Sequence, residues 1–98
     1  MTRYSDDQRI DDTARAALPP VLGAIMRVVR DDADVMHAAT GVTYDSLRAY
    51  ATGNKFPTAE RLKALLAWLA TVGITVDVEA QHITIDLKKY RRKIAASR

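Results

Sequence analysis

Nine Lys/Arg and four Asp/Glu fall in residues 50–98, whereas residues 1–49 carry six Arg and eight Asp, so the net charge of +3 divides into +5 and −2. The densest basic run is KKYRRKIAASR at 88–98, with six basic side chains and no acid. Its available chemistry is the binding of a polyanion, because each neutralised phosphate releases counterions. A solvated, solubilising tail would use the same residues. Covalent chemistry, in contrast, lacks its parts. His37 and His82 are the only histidines, they fall on different elements, and no H-x-x-x-H or H-E-x-x-H spacing exists. With no cysteine there is no thiolate and no disulfide, which suits a reducing cytoplasm. Gly53 and Gly73 read as helix stops, since neither G-x-G-x-x-G nor P-loop spacing occurs. Asp6, Asp7, Asp11, Asp12, Asp31, Asp32 and Asp34 have capping or solvation explanations. The expectation is a non-enzyme with no catalytic residue, cofactor or metal, in which His37 is a partly buried structural side chain.

The elements that would present a binding surface centre on residues 32–57, DADVMHAATGVTYDSLRAYATGNKFP. Asp32 is placed to cap a first short helix, Ala33–Ala39, and Gly41 to end it in the left-handed conformation that glycine adopts most readily. Thr43 can cap a second helix, Tyr44–Thr52, which Gly53 ends in the same way. Two helices joined by a three- to four-residue glycine turn form a helix-turn-helix unit, whose second helix can enter a DNA major groove.

Flanking segments complete a single 98-residue domain with 48% hydrophobic and 6% aromatic residues. Ser5-Asp6-Asp7-Gln8 has capping-box spacing, and Ile10, Ala14, Ala17 and Leu18 could line a short leading helix over residues 1–17. Pro19 and Pro20 should break it and open the next helix. There Leu22, Ile25, Met26 and Val29 follow the i, i+3, i+4, i+7 rule. Beyond Pro57, Thr58 can cap a helix whose Leu62, Leu65, Leu66 and Leu69 repeat that spacing, widened by Trp68 and Val72. The period then becomes 2: Ile74, Val76 and Val78, then Ile83, Ile85 and Leu87, alternate with polar residues. This predicts a β-hairpin over 74–87 with a four- or five-residue loop around Glu79-Ala80-Gln81-His82. An uncovered hairpin is marginal, so it must cover the core, pair with a second copy, or act as a wing; pairing across a two-fold axis is favoured. The acidic N-terminus has no apolar run for a signal peptide, and no apolar stretch is long enough to span a bilayer.

Met36, Thr40-Gly41-Val42-Thr43, Leu47, Tyr50, Gly53, Pro57 and the Leu62/Leu65/Leu66/Leu69 helix resemble the lambda-repressor-like (Cro or XRE) helix-turn-helix family over residues 18–72. The resemblance implies a mostly α fold, a four- to five-helix lambda-repressor-like domain over 18–73 followed by the hairpin and a basic tail at 88–98. It turns Val42, Leu47 and Tyr50 inward and leaves Thr43, Tyr44, Asp45, Arg48, Ala49 and Thr52 outward as DNA-binding residues. Arg48 would pair bidentately with a guanine edge. Tyr44 would reach sugar or phosphate, Asp45 a cytosine amino group, and Ala49 or the Thr43 methyl a thymine methyl. Asn54 and Lys55 would hold phosphates and fix register. Two positions depart from the pattern. His37 stands where the family has a small residue at a close helix crossing, and Ala33 where many members have a backbone-contacting glutamine. The function implied is a cytoplasmic, nucleoid-associated transcriptional regulator, a repressor of phage or antitoxin type. It would be a homodimer through 74–87 on palindromic double-stranded DNA, controlled by concentration or a regulatory protein partner, with no membrane. Competing readings are a protein-interaction adaptor or inhibitor on the same scaffold, and RNA binding through the basic tail.

Overall fold

A computed structural model describes residues 6–98, and the side chains from Ala17 onward. The order is α1 (Asp6–Val29), a 3₁₀ turn (Arg30–Asp32), α2 (Ala33–Thr40), α3 (Tyr44–Thr52), α4 (Ala59–Thr71), β1 (Ile74–Asp77), β2 (His82–Ile85) and α5 (Leu87–Ser97). The chain is thus mostly helical with a two-stranded antiparallel hairpin near its C-terminal end.

The expected break at Pro19-Pro20 is absent: α1 is one helix through both prolines. An interior proline costs about 3 kcal/mol by removing a hydrogen bond and crowding the preceding turn. Against that, Leu18, Leu22, Ile25 and Val29 form one stripe on both sides of the pair, each no more than 1% exposed. Burying each such side chain contributes about 1.5–3 kcal/mol. Burial therefore outweighs the local preference. The capping box at Ser5 lies outside the described residues, and the faces of Ile10 and Ala14 outside the described side chains.

Both short helices end, and α3 and α4 start, on the chemistry expected of them. Gly41 has φ 77° and donates its N–H to the His37 carbonyl at 2.8 Å; Gly53 has φ 81° and donates to Tyr50. Thr43 accepts from the Ser46 N–H at 3.0 Å, and Thr58 from the Arg61 N–H at 3.2 Å. Val42, Leu47 and Met36 are fully buried, and α3 lies on α1 while α2 lies on α4. His37 is exposed, contrary to the expectation of a partly buried side chain at a tight crossing. The buried pair of α2 is Val35 and Met36, which directs His37 to solvent.

In the hairpin, Ile74 pairs with Ile85 and Val76 with Ile83, which gathers the branched side chains on one face. The loop is Val78–Gln81, so Val78 leaves the strand and His82 enters it opposite Asp77. Asp77 closes the loop by accepting from the Ala80 N–H, and Gln81 takes φ 53°. Ile74 is 1% exposed against the core, whereas Ile85 is 39% exposed.

Residues 88–98 are not a free tail but most of α5. Asp86 caps the helix by accepting from the Lys89 N–H at 3.1 Å, and Tyr90 and Ile94, one turn apart, are buried in the common core. Leu87 accordingly begins a helix rather than ending a strand, and it is 50% exposed. Gly73 sits at the junction with φ 91°, and its carbonyl accepts from the Asp86 N–H at 2.8 Å. A Cβ there would meet the Asp86 carbonyl oxygen at 3.0 Å and Lys89 Cβ at 3.2 Å, so both the backbone conformation and the close approach require glycine.

Asp32 does not cap α2, as the sequence suggested. Its carboxylate accepts from the Tyr90 hydroxyl at 2.7 Å and from Arg98 at 2.7 Å, while Arg98 also donates to Asp34 at 2.9 Å. Burial and the Asp32 bond hold the Tyr90 phenol above the ordinary tyrosine range. The Arg98 hydrogen bond holds Asp34 below the usual carboxylate range. A raised phenol pKa contributes stability that is complete below the unfolded value near 10 and is lost as pH climbs past it. The depressed Asp34 contributes stability present above about pH 4 and lost on acidification. Thermal midpoints should therefore fall above pH ~10 in the native chain, and Tyr90→Phe should flatten that alkaline limb. An unchanged alkaline limb would refute the Tyr90 assignment.

Candidate nucleic-acid interface

The outward side of α3 and the loop after it gather every side chain expected at the interface. Thr43, Asp45, Arg48, Thr52, Asn54 and Lys55 are exposed, and Tyr44 and Ala49 are half-buried at the margin. The opposite side of α3 is carried by Leu47 and Tyr50, which are buried. Observed burial matches the expected inward positions Leu47 and Tyr50 and the outward Asp45, Arg48 and Thr52, while Tyr44 and Ala49, expected outward, are half-buried.

Hydrogen bonds divide these groups into spent and free. The Thr43 hydroxyl accepts from the Ser46 N–H and donates to the Ser46 hydroxyl at 3.0 Å, leaving its methyl as the available surface. Thr52 donates its hydroxyl proton to the Ala49 carbonyl at 3.1 Å. Arg48 lies over the Tyr44 ring, 5.6 Å from its centroid. Such a stack holds the flat guanidinium by cation–π attraction, worth about 0.5–1 kcal/mol at an exposed site. Tyr44 and Arg48 are thus in contact on the outer side of α3. The i, i+4 spacing of an aromatic and an arginine carried that signal in the sequence.

Two residues outside the expected set fix the geometry. Thr40 donates to the Met36 carbonyl at 2.7 Å and accepts from the Val42 N–H at 3.1 Å, tying the end of α2 to the turn. Ser46 completes the cap with Thr43. After α3, the Lys55 N–H donates to the Ala49 carbonyl at 3.2 Å, so the loop presenting Asn54 and Lys55 is anchored to the helix. That loop borders a cleft of about 250 Å³ lined by Pro19, Tyr50, Gly53, Asn54, Lys55 and Phe56. Its volume is below the range of about 300–1,000 Å³ usual for small-molecule pockets.

Among the described residues, no three His, Asp or Glu side chains come together as metal ligands would, and no helix is long and apolar enough to cross a membrane. Among the described residues, Arg48 and Lys55 face solvent, and the ion pairs join Arg98 to Asp32 and Asp34. The arrangement offers one planar cation, one flexible cation, a carboxylate, a phenol, an amide and methyl groups on the outer side of a helix and the loop after it. Comparison with protein-family models, with curated proteins and with solved structures finds no match to this chain.

Proposed function

From an α3 whose inner side is buried and whose outer side offers an exposed arginine over a tyrosine ring, we propose a sequence-specific DNA-binding transcriptional regulator. It is a repressor of phage or antitoxin type with a lambda-repressor-like helix-turn-helix. The observation that carries this reading is the α2–turn–α3 unit itself: Gly41, Val42 and Thr43 join two short helices and leave Arg48 stacked on Tyr44 and pointing outward. In this reading α3 lies in the major groove and α2 crosses the backbone. Arg48 pairs with a guanine edge, the commonest specific contact there, while Asn54 and Lys55 hold phosphates. Repression follows when the occupied site overlaps a promoter and excludes polymerase.

A palindromic operator requires two copies with their α3 helices about 34 Å apart. The hairpin supplies the proposed homodimer contact, because Ile85 and Leu87 are exposed large hydrophobic residues and a two-stranded sheet keeps an outer edge on each strand. Ile85→Asp is expected to give monomers in analytical ultracentrifugation and to weaken operator binding. A dimer as tight as that of the native chain would remove the hairpin from the interface.

The function is tested by titrating the chain against duplex DNA from upstream of its own gene and against a scrambled duplex, over a series of salt concentrations. Selective binding that weakens with salt is expected. No binding to either duplex at low salt would overturn the reading in favour of a protein-interaction adaptor or inhibitor.

A further inference from the structure

The outer side of α5 is a charged, exposed surface. Tyr90 and Ile94 face the core, so Lys88, Arg91 and Arg92, related as i, i+3 and i+4, lie together on the exposed side. Like charges at that spacing weaken a helix, and no acidic residue occurs in α5 to offset them. The neighbouring carboxylates are already engaged: Asp86 caps Lys89, and Asp32 and Asp34 accept from Arg98. Asp31 is exposed in the 3₁₀ turn, with the Arg30 cation beside it in sequence.

The position of this surface is set by the bonds at 2.7 Å from Tyr90 and Arg98 to Asp32, and by that from Arg98 to Asp34. These hold α5, through Tyr90 in its first half and Arg98 just past its end, at the beginning of α2. In helix-turn-helix docking the first helix of the pair crosses the phosphate backbone, and α5 is fastened to the beginning of that helix. We propose that α5 is a second DNA-backbone-binding element, in which Lys88, Arg91 and Arg92 engage phosphates of the same duplex that α3 reads. The proposal rests on the function proposed above. A single-stranded RNA is the poorer fit, because such binding uses aromatic platforms and the one aromatic of α5, Tyr90, is 5% exposed.

The test is the triple variant Lys88→Gln, Arg91→Gln, Arg92→Gln, compared with the native chain on scrambled duplex DNA over a salt series. A second variant, Lys88→Arg, Arg91→Lys, Arg92→Lys, keeps the charge. Circular dichroism and thermal melting establish that each is folded. Each neutralised phosphate adds about 0.9 to the slope of log affinity against log salt, so the glutamine variant should lose about 2–3 from that slope. The charge-preserving variant should keep it, and the preference for upstream over scrambled DNA should be unchanged. A native slope in a folded glutamine variant overturns this inference and leaves the α3 reading standing. Absence of duplex binding by the native chain overturns both. A larger loss on single-stranded RNA than on duplex DNA reassigns the surface to RNA and overturns the proposal.

Discussion

Leu47→Ala is expected to destabilise the fold by about 2–5 kcal/mol, the range for deleting a fully buried leucine side chain and leaving a cavity behind. Leu47 is 0% exposed on the side of α3 that faces inward. For a chain of this size each kcal/mol shifts the thermal midpoint by roughly 4–8 °C, so the midpoint should fall by roughly 8–40 °C. Such a loss is a large part of the roughly 5–15 kcal/mol that a domain of this kind commands. Thermal and urea melts provide the measurement. A change below about 1 kcal/mol would show that α3 is not seated by this side chain, and the outward side assigned to it would then be wrong.

Arg48→Ala, only one position further along the chain, should behave in the opposite way. Arg48 is exposed and lies over the Tyr44 ring, so stability should change by no more than about 1 kcal/mol. Affinity for the selected DNA should fall by about 1–3 kcal/mol, while binding to scrambled duplex persists. Parallel titrations on the two duplexes give the comparison. Equal weakening on both would make Arg48 a phosphate contact and remove it as the base reader. Together, Leu47 and Arg48 separate the seating of the helix from the chemistry of its exposed side.

The helical core and the two short helices were legible because their signals are local and mutually consistent. Gly41 and Gly53 need positive φ, Thr43 and Thr58 need only reach an N–H three residues on, and the leucines of α4 keep helical spacing. The outward set on α3 followed from that spacing. What escaped depends on distant partners. Pro19-Pro20 reads as a break until the stripe through Leu18, Leu22 and Ile25 is seen to be buried. The six basic residues of 88–98 obscure Tyr90 and Ile94, whose i, i+4 pairing becomes informative once Asp86 is seen as a cap. Asp32 has the residue type and place of a helix cap, yet a phenol and a guanidinium from α5 compete for it and prevail. His37 was legible in type but not in orientation, because burial of Val35 and Met36 decides which way it turns.

The bonds that Asp32 makes with α5 also bear on the order in which the molecule is assembled as it is synthesised. Its partners lie 58 and 66 residues further along the chain. At about 5–20 residues per second, the start of α2 waits several seconds for the groups that neutralise it. During that interval Asp31, Asp32 and Asp34 repel one another beside α2, and Tyr90, once made, still has to find its acceptor. Ribosome-bound chains ending before Tyr90 should therefore hold α3 against α1 while the beginning of α2 remains open to amide exchange. Closure of α5 should then complete the α2 end of the proposed binding surface as a late step of folding.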